Sequence, residues 1–269
     1  MTRGVGPTFH GGIDNRIYDE RGGEWWDPAS AFYQMRVAFN PVRAGYARKV
    51  LAAELGSDAK GKIALDVGCG GGFMTEELAR LGYETFGLDP SAPSLRAAAE
   101  HAGGQGLRIG YLRAWGEAIP LKAGVCDVVI CCDVLEHVSD LPRVVAGISR
   151  VLRPGGVFCY DTINRTLLSK LVAVKIAQEW KRWAFMPPRL HAWEMFIKPR
   201  ELRALLRRNG LEWREHRGLV PGAPWLRLPG YLRKAARGDW TLADLSRRAV
   251  MTESRLTAVM YMGYAVKAG

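Results

Sequence analysis

The feature that most constrains this chain is a glycine cluster set between a strand and a helix. Lys62-Ile63-Ala64-Leu65-Asp66-Val67 is a short apolar run flanked by glycines, and it reads as a buried strand. Gly68-Cys69-Gly70-Gly71-Gly72 follows at once, and a helix-period segment then covers residues 73–81. A loop that leaves a strand and opens a helix turns its amides toward a ligand.

The same rhythm continues downstream. Residues 83–88 read as a second strand, closed by Asp89-Pro90, and Ser91, Ala92 and Pro93 open a helix, because proline is tolerated in a first turn. Residues 107–112 and 126–132 read as the third and fourth strands. A helix over 142–152, an Arg153-Pro154-Gly155-Gly156 turn and a fifth strand over 157–162 complete the series. Alternating strands and helices predict an α/β fold with a doubly wound, mostly parallel, Rossmann-like sheet, whose ligand sits at the carboxyl ends of the strands. Three regions follow: a helical cap over 1–56, a core over 57–163, and a lid, insertion and sheet-completing strands over 164–269. Pro41 predicts a break between two helices within 31–56. Beyond Asn164, helices are expected over 167–185 and 196–208, a Pro/Gly-punctuated insertion over 222–248, and a last strand over 261–267.

Composition narrows the class. With 48% apolar and 24% charged residues the chain is an ordinary globular protein, not a collagen, a coiled coil or a disordered tail. No apolar run reaches the roughly 20 residues of a spanning helix. The opening MTRGVGPTFHGG lacks a signal peptide's apolar stretch, which predicts a cytoplasmic address. The five cysteines form no C-x-x-C pair and read as small buried hydrophobes. Charge is uneven: residues 164–269 carry 21 basic against 8 acidic side chains, and residues 1–163 carry 17 against 19. A basic face of that kind suits nucleic acid, an anionic membrane or an acidic substrate, and Arg-rich codon usage gives the same bias.

The glycine loop does not fit a dinucleotide fingerprint, which needs G-x-G-x-x-G, because Phe73 occupies the third glycine's place. It fits an acid at the strand end followed by G-x-G-x-G: Asp66, Gly68, Gly70 and Gly72. That pattern suits S-adenosylmethionine, whose carboxylate can meet glycine amides while a nearby acid balances its ammonium. Asp89, at the end of the second strand, can accept from both ribose hydroxyls.

The segments LDVGCGGG, GLDPS, CDVVICCDVLEHV and LRPGG resemble a class I S-adenosylmethionine-dependent methyltransferase. Glu24-Trp25-Trp26-Asp27-Pro28, Phe39-Asn40-Pro41-Val42-Arg43 and Phe196-Ile197-Lys198-Pro199 narrow the resemblance to the ubiquinone-biosynthesis O-methyltransferases that act on polyprenyl-hydroxyphenols. It covers about residues 24–205. It implies cofactor contacts at Arg43, Gly68, Asp89 and Cys132, and the loop and strand-end pattern adds Asp66, Gly70 and Pro90. Trp115 and Gly116 occupy the place where methyltransferases line the adenine; many have an acid where Trp115 stands, so stacking and plain core packing are both open.

Asp133, Glu136 and His137 form D-x-x-E-H. On a helical turn these spacings share one face. The resemblance implies Mg²⁺ there, able to bind a phenolate and lower its pKa. A helix cap or pocket lining is the alternative, and Asp133 is one carbon shorter than the family's Glu. His137, and secondly His191, are the candidate bases for a phenol whose pKa is near 10.

The stretch 180–193, with Lys181, Arg182, Trp183, Phe185 and Met186, joins 167–176 as a lid over an apolar substrate, an interfacial helix or a core helix. Trp25 and Trp26 can close the opposite side. The expected activity is O-methylation of an apolar aromatic, quinol or secondary-metabolite acceptor. The insertion over 220–248 and Asp133 lean toward a tailoring substrate. The expected partners are that small molecule and, through residues 164–193, the inner face of a membrane; a homodimer stays open. The alternatives are N- or C-methylation and an RNA-directed enzyme. No RNA-binding module is recognisable, so nucleic acid is not the expected partner.

Overall fold

The structure is a computed structural model that describes residues 9–10, 12–180 and 186–269. Its centre is an eight-stranded sheet: β1 (Ile63–Val67), β2 (Glu84–Asp89), β3 (Ile109–Arg113), β4 (Cys126–Cys132), β5 (Leu152–Ile163), β6 (Leu211–Pro221), β7 (Met251–Ser254) and β8 (Met260–Lys267). The spatial order is β3-β2-β1-β4-β5-β8-β6-β7. The first five strands pair in parallel, and β8 runs antiparallel between β5 and β6. Strand order reverses between β1 and β4, and their carboxyl ends open the crevice where such sheets bind ligands.

Periodicity explains the two cores. Successive β4 side chains point to opposite faces. Val129 and Cys131 pack with Leu65, Ile148, Phe158 and Leu206 on one side. Val128 and Ile130 pack with Ala64, Leu78, Val50 and Leu51 on the other. A strand buried on both faces reads as a continuous apolar run, which is why β4 was legible. Each fully buried aliphatic side chain contributes on the order of 1.5–3 kcal/mol.

Helices α2 (Phe73–Arg80), α3 (Ala92–Gly104) and α4 (Leu141–Val151) link the parallel strands. Ser91 and Asp140 cap α3 and α4 by accepting from the amides of Ser94 and Arg143. The expected break at Pro41 does not occur: Ala31–Leu55 is one helix, α1, with Pro41 inside it. A mid-helix proline costs about 3 kcal/mol. Burial of Phe32 and Ala38 before it, and of Tyr46, Ala47, Val50 and Leu51 after it, outweighs that cost.

Other expectations shift for local reasons. The Arg153–Gly156 turn is absorbed into β5 as a bulge, since the pairing jumps from Cys126/Leu152 to Val128/Val157. The helix expected over 196–208 is α5 (Pro199–Arg208). The residue before proline avoids helical dihedrals, so Lys198 is extended and the helix starts at Pro199, while Phe196 and Ile197 are buried ahead of it. Within 167–185, Leu167–Ser169 is a single α turn and Lys170–Glu179 a wide π-type helix. Lys181, Arg182, Trp183 and Phe185 lie outside the described residues. The 222–248 insertion contains two helices, α6 (Leu228–Ala236) and α7 (Leu242–Arg248). All five cysteines are free; Cys132 is partly exposed and the other four are buried.

Candidate active site

The glycine loop turns tightly: Gly68, Gly70 and Gly72 have φ of 73°, 50° and 82°. The Gly68 and Cys69 amides both donate to Leu88 O, at 2.7 and 3.0 Å, which ties the loop to β2. Asp89 Oδ2 accepts from the Gly70 amide at 2.9 Å, and Oδ1 from the Ser91 amide at 2.8 Å. Asp66 Oδ2 accepts from Thr75 Oγ1 at 2.6 Å. Burial pushes the Asp66 carboxyl up to about 7 and that of Asp89 up to about 6, the two amides opposing the rise at Asp89.

These groups face a cleft of about 540 Å³. Arg43, Asp66, Gly68, Gly70, Asp89, Pro90, Trp115, Gly116 and Cys132 all line it. The donor set fits S-adenosylmethionine. Two buried carboxylates stand at adjacent strand ends, and the glycine turn lies so close to its neighbours that a Cβ at Gly68 would fall 2.3 Å from Val134 Cγ2. Asp66 and Asp89 would hold the cofactor's polar ends, and the side-chain-free turn would let it approach the backbone closely. Asp89→Ala is expected to weaken S-adenosylhomocysteine binding by about 1–3 kcal/mol. Titration calorimetry showing unchanged affinity would refute a cofactor role for that carboxylate.

An N-terminal strap covers the loop. Trp25 packs on Gly70 and Gly71, donates Nε1–H to Ser94 Oγ at 2.9 Å and stacks on Phe32 at 4.4 Å. Trp26 Nε1 donates to Gly71 O at 2.9 Å. Two residues that line the cleft had no sequence signal, Asn15 and Tyr18. The Tyr18 ring stacks on Trp25 and meets His137 edge-on at 6.1 Å. Asn15 Nδ2 donates to His137 O at 3.2 Å.

Arg43 does more than line the cleft. Its Nε and Nη2 donate to Asp161 Oδ2 and Oδ1 at 2.8 and 2.9 Å, and Nη2 also pairs with Asp133 Oδ2. Burial disfavours the Arg43 charge, but the two carboxylates outweigh it and hold its pKa well above the ordinary value. Burial works against the Asp133 charge too, yet Arg43 keeps that carboxyl below the usual range. Asp161 is pushed up to about 7, chiefly by burial, although Arg43 opposes the shift. The only sequence trace of Asp161 is a lone acid inside the apolar run Val157–Ile163.

That knot corrects the expected Asp133-Glu136-His137 face. Only Leu135–His137 is helical, a 3₁₀ turn, and Asp133 precedes it at φ 53° with its carboxylate taken by Arg43. Among the described residues, the group that does converge is Glu136, His137 and His191, whose ligand atoms lie within 4.8 Å of one another. Mg²⁺ prefers oxygen ligands and retains waters, so one carboxylate with two imidazoles does not fit it. Glu136 is fully buried and its Oε2 accepts from Thr162 Oγ1 at 2.8 Å. Burial, aided by Asp133, pushes Glu136 up to about 8, and burial pushes His191 down to about 4. His137 lines the cleft; His191 stands behind it, with the ring centroids 5.2 Å apart. Gln178 of the π-type helix holds His191 in place, accepting from its amide at 2.8 Å.

Residues 65–160 match the family described as "Methyltransferase domain". The chain is 41% identical over 191 residues to a ubiquinone biosynthesis O-methyltransferase from Caulobacter vibrioides, covering 68% of this chain and 74% of the relative. It is 34% identical over 232 residues to the protein of the same name from Azorhizobium caulinodans, covering 84% and 86%. Among solved structures, magnesium protoporphyrin IX methyltransferase from Synechocystis PCC 6803 with bound SAH shares the fold, with a TM-score of 0.63 at 17% identity over 94% of this chain and 97% of that one. With the strand order, the glycine turn and the paired strand-end acids, these likenesses establish that the chain belongs to the ubiquinone biosynthesis O-methyltransferase family of S-adenosylmethionine-dependent methyltransferases.

Proposed function

We propose that this enzyme methylates a hydroxyl of an apolar aromatic or quinol acceptor. The observation that carries the reading is the course of the cleft, which joins the glycine loop to His137 past the aromatic walls of Tyr18, Trp25 and Phe73. When bound, S-adenosylmethionine supplies an electrophilic methyl, whose transfer to oxygen breaks its bond to sulfur and leaves S-adenosylhomocysteine. The residues of the chain do the rest. His137 takes the hydroxyl proton on a ring nitrogen, which turns a weak phenol nucleophile into a phenolate. Tyr18, edge-on to that imidazole, and Asn15, bonded to its backbone carbonyl, fix the ring's position. The aromatic strap excludes water from the glycine loop and holds the acceptor near the donor, a source of rate in its own right.

The surface supports an acceptor carrying an apolar tail. Leu167 and Leu168 are exposed, as are Leu171, Val172 and Trp180, and Lys170 and Lys175 lie on the same segment. Apolar and cationic groups together suit an anionic bilayer face. No described helix is long and apolar enough to cross a membrane.

Transfer of labelled methyl to catechols and hydroquinones, with and without a prenyl tail, tests the reading. The expected product is a methyl ether, with a lower KM for the tailed ring presented in anionic vesicles. Label appearing only on amines, on carbon or on RNA would overturn it.

A further inference from the structure

We infer that Arg36 is an anion-binding residue of the cleft. It pairs with a carboxylate on a bound ligand, either the amino-acid end of S-adenosylmethionine or an acid group on the methyl acceptor.

Three observations converge on it. Arg36 lines the cleft from α1 and is half-buried, yet among the described residues no carboxylate pairs with it and none of its N–H donors meets an acceptor. Its guanidinium instead stands over three aromatic rings, 5.0 Å from the Trp26 centroid, 5.5 Å from that of Tyr33 and 5.9 Å from that of Phe73. Ring faces hold a cation without using its N–H donors, so the planar fork stays open to a bidentate partner.

The second observation is charge. Arg43, the other half of this face of α1, is matched by the two carboxylates of Asp133 and Asp161. Arg113 is exposed, and its Nε donates to Pro90 O at 3.0 Å. Asp66 and Asp89 line the cleft as well, so an anion that enters it needs a counter-charge, and Arg36 is the half-buried cation without one.

The third is the backbone. Amides of a glycine turn can bind an anion, but those of Gly68 and Cys69 donate to Leu88 O, that of Gly70 to Asp89, and that of Gly72 to Cys69 O. Arg36 stands beside that turn, since Phe73 follows Gly72 and Trp26 Nε1 donates to Gly71 O. A carboxylate held by a fork among aromatic walls makes a charge-assisted pair of fixed geometry. On the cofactor that pair anchors the amino-acid end and so helps place the methyl; on the acceptor it selects an aromatic acid over the neutral phenol. The acceptor source rests on the function proposed above; the cofactor source does not.

Titration calorimetry on the full chain compares matched ligands. One pair is S-adenosylhomocysteine and its decarboxylated analogue; the other, with S-adenosylhomocysteine present, is protocatechuate and catechol. Arg36→Met is expected to weaken binding of the acid in one pair by about tenfold or more, and to leave its carboxylate-free partner within about twofold. Arg36→Lys keeps the charge without the fork and is expected to recover part of the loss. A selective loss for S-adenosylhomocysteine assigns the cofactor's carboxylate, and one for protocatechuate the acceptor's. Circular dichroism reports the fold, and Arg36→Gln carries the same comparison should Arg36→Met not fold. Equal losses within each pair, no loss in either, or a wild type that favours neither acid would overturn the inference; a pair that the wild type does not bind counts as no loss. Because the readout is binding, a failure of every phenol to yield a methyl ether would sink the proposed activity alone.

Discussion

Arg43→Met is expected to destabilise the protein by about 3–5 kcal/mol, the usual result of removing one partner from a buried ion pair. Asp133 and Asp161 would then face each other with no cation, in a site where Asp161 is 1% exposed. Arg43 itself is 9% exposed, so water would replace its role only in part. The guanidinium binds Asp161 through two nitrogens, one of them shared with Asp133. A lysine is a point charge without that planar fork, so Arg43→Lys is expected to recover only part of the loss. Urea unfolding followed by far-UV circular dichroism measures both variants. A cost below about 1 kcal/mol for Arg43→Met, in the range of an exposed pair, would show that the knot is solvated. The same knot holds Asp133 in its positive-φ turn, so its loss is also expected to misplace the turn that carries Glu136 and His137.

A second large effect is expected at Gly68. Its φ of 73° lies in the left-handed region, which costs a residue with a Cβ roughly 1–2 kcal/mol. The added carbon would also fall 2.3 Å from Val134 Cγ2 and 2.9 Å from Cγ1, well inside contact distance. Overpacking of this kind costs typically about 1–3 kcal/mol. Gly68→Ala is therefore expected to lose about 3 kcal/mol of stability and much of its affinity for S-adenosylhomocysteine, because Gly68 lines the cleft. Val134→Ala removes the two colliding methyls, so the double variant is expected to be more stable than the sum of the single losses. Strict additivity in a double-mutant cycle would show that the dihedral, not the collision, sets the cost.

The parallel half of the sheet was legible because its central strands β1, β4 and β5 are largely buried on both faces and its turns are marked by Gly and Pro. The glycine-loop end of the cleft was legible because strand-end acids and a glycine turn need fixed residue types at fixed spacing. The His137 end was legible in part: the sequence offers His137 and His191 as candidate bases, but Asp161 comes from outside D-x-x-E-H, and only tertiary packing brings it to Arg43. The shared Asp133-Glu136-His137 face does not form because the three-four spacing presumes a helix, whereas Asp133 has a positive φ and its carboxylate pairs with Arg43. The antiparallel half was partly hidden as well. In β6 the charged residues Glu212, Arg214, Glu215 and Arg217 obscure the apolar alternation, although Leu211 and Leu219 are buried. Pro41 misled because an intrinsic propensity of a few kcal/mol yields to several buried side chains on one helix.

The placement of β8 between β5 and β6 sets an order of assembly during synthesis. β6 cannot take its place in the sheet beside the parallel strands until residues 260–267 have left the ribosome, since β8 pairs with β5 on one side and β6 on the other. A nascent chain stalled before that point holds β5 and β6 with open edges, the kind of template on which neighbouring polypeptides pair.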